Sequence, residues 1–338
     1  MTVRRMRRCV VLGGAGFLGS ALTRRLLQAR VETCVVDRPW RRFSGYQPGL
    51  EFAGTESLSP ALFREILRPH DVVFHLWSDS GPEHSKVRAP CDVASTVVPT
   101  LWLLEHCARC GVQRIVFASS GGAVYGETGP KPIAEDQPTE PVTAYGVVKL
   151  AIEKYLEVYR RASGVDYVVL RIANAYGPGL PVAGRQNAVG AFLGCTARRR
   201  PLHIWGRGDV VRDFVYSEDV VDAFLRAAQA ALRHRVLNIG TGAGTSILEL
   251  IALIEEVTGV YLARRWQPAR SFDLGYNVLD CSRAACELNW HPRVTLKEGL
   301  HATWRWLCEA HTPLLTPGLG HPWGAEVSDD MQSGAPQA

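Results

Sequence analysis

Short runs of apolar residues alternate with amphipathic segments along most of the chain. Each run has the length and β-branched content of a buried strand, and each amphipathic segment carries apolar residues at helical spacing. The predicted strands cover residues 9–12, 32–36, 71–76, 113–118 and 166–170, and the predicted helices cover 17–28, 93–110 and 145–162. Because continuous apolar strands that alternate with helices form parallel sheets covered on both faces, we expect an α/β fold with a Rossmann-type doubly wound sheet.

The pattern becomes less regular in the second half of the chain. Gly and Pro cluster in AYGPGLPVAGRQ, residues 175–186, and the segments beyond it are shorter. Helical patterns at 246–258 and 296–306 and a strand pattern at 236–239 continue the alternation. We therefore expect three parts. Residues 1–173 form the first domain, residues 174–311 form a smaller α+β lobe on its C-terminal side that interleaves with it, and residues 312–338 form a flexible tail.

Composition and charge exclude several classes of protein. The 338 residues are 46% hydrophobic and 21% charged, as in an ordinary globular chain. The net charge of +5 is too small for the basic stripe of a nucleic-acid-binding protein, so we expect no nucleic-acid partner. No apolar run reaches the ~20 residues of a membrane helix, so we expect no membrane association. Nine cysteines without paired spacing predict reduced thiols and a cytoplasmic location. Cys107 and Cys110 form a lone CxxC in a helical segment, so no metal is expected.

Three glycines follow the first predicted strand with the spacing GxxGxxG. Gly13, Gly16 and Gly19 allow a tight turn and a close approach of a pyrophosphate to the N-terminus of the next helix. Asp37 ends the second strand, where a carboxylate can accept hydrogen bonds from both ribose hydroxyls and would repel a 2′-phosphate. The pattern predicts an NAD site, although Arg38 and the arginines after it leave NADP as an alternative.

A tyrosine and a lysine stand one helical turn apart in YGVVK. Tyr145 and Lys149 lie on one face of the predicted helix and follow the strand 113–118 and a Ser-Ser-Gly-Gly turn. Parallel-sheet enzymes place ligand chemistry at the carboxyl ends of strands. An ammonium about 4 Å from a phenol stabilises the phenolate by about 4 kcal/mol at an effective dielectric constant near 20. Such a base could remove a sugar hydroxyl proton while the neighbouring carbon gives hydride to nicotinamide.

Seven motifs in this order resemble the extended short-chain dehydrogenases/reductases, in particular the NAD-dependent epimerase/dehydratase group that acts on nucleotide sugars. The resemblance covers about residues 8–309, most of the chain. The motifs are GGAGFLG (13–19), DVVFHL (71–76), SSGGAVYG (119–126), YGVVK (145–149), RIANAYGPG (171–179), VVRDFVYSEDV (210–220) and LDCSRAACELNW (279–290).

The resemblance implies a role for each matching residue. Tyr145 would be the general base, and Lys149 its electrostatic partner, which in this family also holds the nicotinamide ribose. Asn174 would contact the sugar nucleotide near its phosphates, and two arginines would bind its diphosphate and nucleotide through planar guanidinium groups. The implied NAD-binding residues are Gly13, Gly16, Phe17, Leu18, Gly19, Asp37, Arg38, Leu76, Ser119 and Lys149. The implied UDP-sugar-binding residues are Ser120, Gly121, Tyr145, Asn174, Arg185, Arg212, Arg270 and Asn277.

The turn that follows Ser119 and Ser120 in the motif SSGGAVYG departs from the family pattern. Counted back from the motif VYG, Gly121 stands where the family usually has a Ser or Thr that bridges substrate and tyrosine. We expect Ser120 to supply this hydroxyl as a third catalytic residue. Ser119 or a water molecule is the alternative, since two consecutive glycines leave space.

The residues that follow in the turn indicate the reaction. Dehydratases of the family resemble one another in having Asp-Glu there, and decarboxylases have a Glu, whereas this chain has Gly122 and Ala123. The resemblance therefore implies oxidation at C4 by NAD, reorientation of a transient 4-keto sugar and return of the hydride, which is 4-epimerisation. Alternatives are another nucleotide-sugar oxidoreductase, an unusual dehydratase, or a non-catalytic NAD(H)-binding regulator.

The sugar and the assembly are less defined. A UDP-hexose of the UDP-glucose/galactose type is expected. Asn277, smaller than an aromatic gate, would allow UDP-N-acetylglucosamine, and Arg185 would suit the carboxylate of UDP-glucuronate. The resemblance also implies a homodimer through a four-helix contact formed by residues 93–110 and 145–162 of each copy.

Overall fold

A computed structural model of the protein describes residues 6–41, 48–78, 89–182, 187–270 and 273–310. The strands are β1 (Arg8–Leu12), β2 (Glu32–Asp37), β3 (Leu50–Gly54), β4 (Val72–His75), β5 (Arg114–Ser120), β6 (Tyr167–Ile172), β7 (Asn174–Tyr176), β8 (Leu202–Trp205), β9 (Val211–Tyr216), β10 (Val236–Ile239), β11 (Gly244–Ser246), β12 (Arg264–Gln267) and β13 (Tyr276–Asn277). The α-helices are α1 (Phe17–Gln28), α2 (Pro60–Ile66), α3 (Ala89–Asp92), α4 (Val98–Cys110), α5 (Ala144–Ser163), α6 (Ala188–Ala197), α7 (Ser217–Ala227), α8 (Ile247–Thr258), α9 (Ser282–Leu288) and α10 (Leu296–Ala310).

Seven strands form one parallel sheet in the order β10-β6-β5-β4-β1-β2-β3. Alternate residues of each strand face opposite sides, so that Val11 of β1 packs in one core and Val10 in the other. The first core lies under α1 and α7, and the second lies under α2, α4 and α5. The sheet and its helices on both faces confirm the predicted α/β fold.

The predicted helix 93–110 is interrupted. Val93–Val97 is a π-helical turn that joins α3 to α4. Pro99 lies at the start of α4 and has no N–H to donate to the carbonyl four residues earlier. The wider turn adjusts the backbone just before this proline, which a periodicity argument does not detect.

The remaining strands build the lobe on the C-terminal side. Strand β9 pairs with β7 and β13 in parallel and with β11 in antiparallel orientation, and β8 pairs with β12. A third core, which includes Leu193, Ile204 and Leu250, fills the lobe. Strand β10 lies beyond β9 in sequence and yet joins the large sheet beside β6. The domain boundary at residue 173 stays a prediction, and the tail 312–338 lies outside the described residues.

A buried carboxylate connects the lobe to the end of the large sheet. Asp213 of β9 is fully buried, and its oxygens accept hydrogen bonds from Thr241 N (2.8 Å), Thr241 Oγ1 (2.6 Å), Gly242 N (3.1 Å) and Leu279 N (3.3 Å). Burial raises the pKa of Asp213, while these donors act in the opposite direction. The segment after β10 and the segment after β13 are therefore held at one point, next to Arg212.

Two further observations concern the described residues only. None of their helices has both the length and the apolar character that a membrane crossing requires. All nine cysteines are free thiols, and within the described ranges no group of three or more His, Cys, Asp or Glu side chains could hold a metal ion.

Candidate active site

The glycine turn between β1 and α1 depends on close backbone packing. Gly13 has a φ of +79° and donates from its N–H to Val36 O at 2.8 Å. A Cβ on Gly13 would lie 2.9 Å from Leu76 C, and a Cβ on Gly19 would lie 2.0 Å from Gly13 O. Only glycine fits at both positions, which brings β1, β4 and the start of α1 together.

The middle glycine of the turn has an open side. The nearest atoms to a Cβ built on Gly16 are Gly13 O at 3.2 Å and Arg41 Nη1 at 3.7 Å. The helix α1 begins at the next residue, Phe17, whose side chain packs against the core of the lobe, while Leu18 packs against the first core. The free N–H groups at the start of α1 and the guanidinium of Arg41 suit a pyrophosphate.

Asp37 lies at the end of β2 beside this turn. The carboxylate is 2% exposed and accepts hydrogen bonds from Ala15 N and Arg38 N, both at 2.8 Å. The guanidinium of Arg38 lies 4.9 Å from the ring centroid of Trp77, which follows Leu76 after β4. These residues fit the adenosine half of a dinucleotide. Trp77 was missed by sequence reasoning, because nothing in the pattern brings it next to Arg38.

Helix α5 places Tyr145 and Lys149 at the carboxyl end of the sheet. The Thr143 hydroxyl accepts a hydrogen bond from Gly146 N at 3.2 Å, which starts the helix one residue before Tyr145. Lys149 is 3% exposed, and its Nζ donates to Ala118 O at 3.0 Å. The Nζ lies 5.0 Å from the ring centroid of Phe117 and 5.5 Å from that of Tyr145. Burial lowers the pKa of Lys149 to about 8, with Glu153 acting in the opposite direction.

The two serines of the turn have different surroundings. The Ser119 hydroxyl donates to Glu153 Oε1 at 2.5 Å, on the side of the sheet covered by α5. Ser120 is half-buried, and its carbonyl accepts hydrogen bonds from Ala123 N and Val124 N, which close the turn. The Ser120 hydroxyl lies 3.8 Å from the position that a Cβ on Gly122 would take.

The two glycines of the turn are not equivalent. A Cβ on Gly121 would meet Leu279 Cδ1 at 2.5 Å and Arg171 O at 3.3 Å, whereas nothing lies within 3.8 Å of a Cβ on Gly122. The expectation of free space at both glycines is therefore wrong at Gly121, because the buried Leu279 fills it. A side chain at position 121 would be directed into the core, whereas a Cβ at position 122 would make only ordinary contacts, with Ser120 Oγ and Asn277 Oδ1.

Asn277 faces Gly122 from the lobe. The side chain is 1% exposed, and its Nδ2 donates to Gly121 O at 3.1 Å. This bond fixes the orientation of the amide, so that Oδ1 lies 4.0 Å from the Cβ position of Gly122. Oδ1 is a buried acceptor that no donor among the described residues reaches. A ligand with an N–H or O–H group would satisfy it.

The predicted phosphate-binding side chains lie along the lobe. Asn174 Nδ2 donates to Asp213 O at 3.1 Å, and Arg212 Nη1 donates to Val211 O at 2.9 Å and Leu274 O at 2.7 Å. The guanidinium of Arg270 lies 4.1 Å from the ring centroid of Trp205.

Burial lowers the pKa of Arg212, the charges of Asp273 and Glu127 act in the opposite direction, and the charge of Arg270 acts with burial. Two neighbouring guanidinium groups, of which that of Arg270 also pairs with Asp273 Oδ2 at 3.2 Å, suit an anionic ligand. Trp205 has no sequence signal that distinguishes it from a core residue, and Arg185 lies outside the described residues.

The chain resembles known proteins over most of its length. It matches the profile described as the NAD dependent epimerase/dehydratase family over residues 9–240. A curated relative, the UDP-glucose 4-epimerase of Mycolicibacterium smegmatis, is 34% identical over 307 residues, which cover 88% of this chain and 97% of the relative.

Solved structures agree. UDP-glucose 4-epimerase from Thermotoga maritima with UDP-glucose has a TM-score of 0.84 and 34% identity, covering 90% of this chain and 99% of that one. MoeE5 in complex with UDP-glucuronic acid and NAD has a TM-score of 0.82 and 31% identity, with the same coverage. UDP-N-acetylglucosamine 4-epimerase from Methanobrevibacter ruminantium has a TM-score of 0.84 and 25% identity, again covering 90% and 99%.

A serine at position 121 tests the packing of the turn. Gly121→Ser forces its Cβ against Leu279, and we expect it to lower the free energy of unfolding by about 1–3 kcal/mol. Urea denaturation followed by circular dichroism measures this. Gly122→Ala is the control and should change stability by less than about 0.5 kcal/mol. Equal losses in the two variants, or none at position 121, would contradict the assigned directions.

A second substitution tests the burial of the Lys149 ammonium. Since its pKa is lowered from 10.5 to about 8, the unfolded chain binds more protons between these values, and wild-type stability should rise with pH there. Lys149→Met removes the buried charge, so the variant should be more stable than wild type below pH 8, by a margin that shrinks towards pH 10.5. Urea titrations at several pH values measure the margin.

Lys154→Met is the matched control on the exposed face of α5. We expect its stability to follow the wild-type curve throughout this pH range. A margin for Lys149→Met that stays constant with pH would mean that the ammonium is not held in a dry environment.

Proposed function

Because the chain belongs to the NAD-dependent epimerase/dehydratase family, we propose that it is a nucleotide-sugar 4-epimerase that inverts C4 of a UDP-hexose of the UDP-glucose/galactose type. NAD is its cofactor. The observation that carries the proposal is the arrangement of Tyr145 and Lys149 opposite an open turn without an acidic side chain, Gly122–Ala123.

The residues of the site divide the work as follows. The Tyr145 phenolate takes the proton of the sugar 4-hydroxyl and later returns it, while the Lys149 ammonium stabilises the phenolate. The Ser120 hydroxyl holds the oxygen at C4 by a hydrogen bond. The glycine turn 13–19, Asp37 and Arg38 hold NAD. When bound, NAD supplies reversible two-electron oxidation at C4.

Inversion requires the oxidised sugar to present its other face. Gly122 supports this movement, because it adds no side chain between Ser120 Oγ and Asn277 Oδ1, which lie 3.8 and 4.0 Å from the position of a Cβ there. Arg212 and Arg270 would keep the diphosphate bound while the sugar turns. A dehydratase or decarboxylase needs a further acid or base beside the sugar, and the turn carries none at Gly122 or Ala123.

The UDP-glucose type is favoured by the names of the similar proteins in M. smegmatis and T. maritima. UDP-N-acetylglucosamine is a second candidate, because Asn277 is small and its buried Oδ1, which no donor among the described residues reaches, can accept a hydrogen bond from the N-acetyl N–H. UDP-glucuronate is a third, in view of the similar MoeE5. We also propose a cytoplasmic location, since all nine cysteines are free thiols.

The proposal is tested by incubating the purified protein, without added NAD, with each of the three UDP-sugars. We expect the C4 epimer of one sugar to appear, as resolved by NMR of the anomeric protons. Tyr145→Phe should lower turnover by about 10²- to 10⁴-fold and keep its NAD. Release of NADH or a stable keto product would identify another oxidoreductase, and NAD binding without any turnover would favour the non-catalytic regulator.

We propose that two copies pair through α4 and α5. Three apolar side chains on one face of α5 are exposed, namely Val147 (53%), Tyr155 (40%) and Val158 (55%). Val93 in the neighbouring π-helical turn is 45% exposed. Clusters of this kind on a helix face mark protein interfaces.

Negative charges introduced on this face of α5 should dissociate the proposed dimer. The double variant Tyr155→Glu/Val158→Glu should elute as a monomer at micromolar concentration, where wild type elutes as a dimer, because buried unpaired carboxylates oppose the contact. Size-exclusion chromatography with light scattering gives the masses. Val142→Glu, an exposed position before α5, is the control and should remain a dimer. A wild-type monomer would refute the proposed pairing.

A further inference from the structure

Glu153 lies one helical turn after Lys149 on α5 and is buried, 5% exposed. A carboxylate in a core needs donors for both oxygens. Oε1 accepts hydrogen bonds from Ser119 Oγ at 2.5 Å and from Arg171 Nε at 3.1 Å, and Oε2 accepts one from Arg171 Nη2 at 2.6 Å. Glu153 therefore forms its ion pair with Arg171 on β6, while its charge also raises the pKa of the neighbouring Lys149.

Arg171 is itself fixed from a third segment. Its guanidinium lies 4.8 Å from the ring centroid of Tyr125, whose hydroxyl donates to Asn238 Oδ1 at 2.7 Å. Its Nη1 donates to Glu135 O at 3.5 Å. The pair Glu153–Arg171 thus has a defined position between α5 and β6, and both side chains are about 5% exposed.

Helix α5 holds the end of β5 at two consecutive residues. Lys149 Nζ binds the Ala118 carbonyl at 3.0 Å, and Glu153 binds the Ser119 hydroxyl at 2.5 Å. The next residue is Ser120, and the open turn begins after it. Removing the second contact would leave Lys149 as the side chain of α5 that ties this strand end, and with it Ser120, to the helix that carries Tyr145.

We propose that Glu153 is a positioning residue. Through Ser119 and Arg171 it fixes the positions of Lys149 and Ser120 relative to Tyr145. A buried ion pair is weak evidence of stability, because apolar residues of equal volume often stabilise a core as well. A functional role accounts for the Glu153–Arg171 pair, because the pair lies directly behind the site. The proposal rests on the proposed epimerase function and assigns a role that sequence reasoning missed.

The charges around Lys149 define what a variant should do. Buried charged and titratable side chains on the elements packed around it include Glu153 on α5, His75 on β4, Arg171 on β6 and Asp92 on α3, and Tyr145 of α5 lies beside it. Burial lowers the pKa of His75 to about 3, so it stays neutral over the working range. Replacing Glu153 by a neutral residue removes the charge that raises the pKa of Lys149 and leaves the buried Arg171 cation without its carboxylate, so the ammonium loses its proton at lower pH.

Glu153→Gln in the full chain tests the proposal with the UDP-sugar that is turned over. We expect kcat to fall about 10- to 100-fold with KM within about 2-fold of wild type. The alkaline decline of kcat should begin about one pH unit lower. The pH at which the free energy of unfolding starts to rise should shift by the same amount, and this readout needs no turnover.

Two further variants separate positioning from stability. Glu157→Gln is the matched control on the next turn of α5, where Glu157 binds Arg160 and Arg161, and it should leave kcat and its pH profile unchanged. Glu153→Gln/Arg171→Met also removes the uncompensated cation, so it should fold where the single variant folds poorly and should move the alkaline decline back towards that of wild type.

The outcomes distinguish the two proposals. If Glu153→Gln loses stability while kcat and both pH readouts match wild type, Glu153 is only structural and the inference is overturned. If wild type turns over none of the UDP-sugars, the epimerase proposal fails, and the shift of the unfolding curve still decides whether Glu153 controls the Lys149 charge.

Discussion

The hydrogen bond from the Lys149 ammonium to the Ala118 carbonyl, 3.0 Å long, joins helix α5 to the end of strand β5. The lysine reaches this carbonyl only because α5 packs on the sheet beside β5, with Phe117 and Tyr145 as the ring neighbours of the charge. Tyr145 lies above it and Ser120 lies two residues beyond the acceptor. The relative positions of all three side chains therefore depend on the contact between one helix and one strand.

The same contact has a cost in stability. An ammonium group with one hydrogen bond to a carbonyl and two aromatic neighbours is poorly solvated, and its lowered pKa is the measure of that cost. The adjacent carboxylate of Glu153 offsets only part of this cost, because its ion pair is with Arg171. A poorly solvated charge at a strand end is typical of a group that stabilises a developing phenolate and not of one that stabilises the fold. The burial of apolar side chains in the two cores of the domain offsets the free energy that this buried charge costs.

Much of this could be predicted from the sequence. The strands were correctly predicted where burial on both faces gives continuous apolar runs, as in RCVVL of β1, and the glycine turn follows directly from its spacing. The edge strand β3 was missed, because its pattern is mostly exposed and carries no apolar run. The π-helical turn before Pro99 was missed because an interruption of one turn leaves the periodicity of the flanking helix nearly intact.

The site was harder to predict than the fold, for a physical reason. The meaning of Gly121 depends on Leu279, which lies far along the chain and reaches the turn only through the lobe. Likewise, the neighbours of Arg38 and Arg270 are the indoles of Trp77 and Trp205, brought there by tertiary packing. Local spacing indicates which side chains carry chemistry, whereas their partners are set by long-range contacts.

The protonation of Lys149 tests this account most directly. NMR of the protein with ¹³C-labelled lysine, assigned by comparison with Lys149→Met, follows each lysine side chain through its titration. The account predicts that Lys149 loses its proton near pH 8, well below its ordinary value of 10.5. A Lys149 that titrates together with the exposed Lys154 would contradict the account, because it would place the ammonium in water.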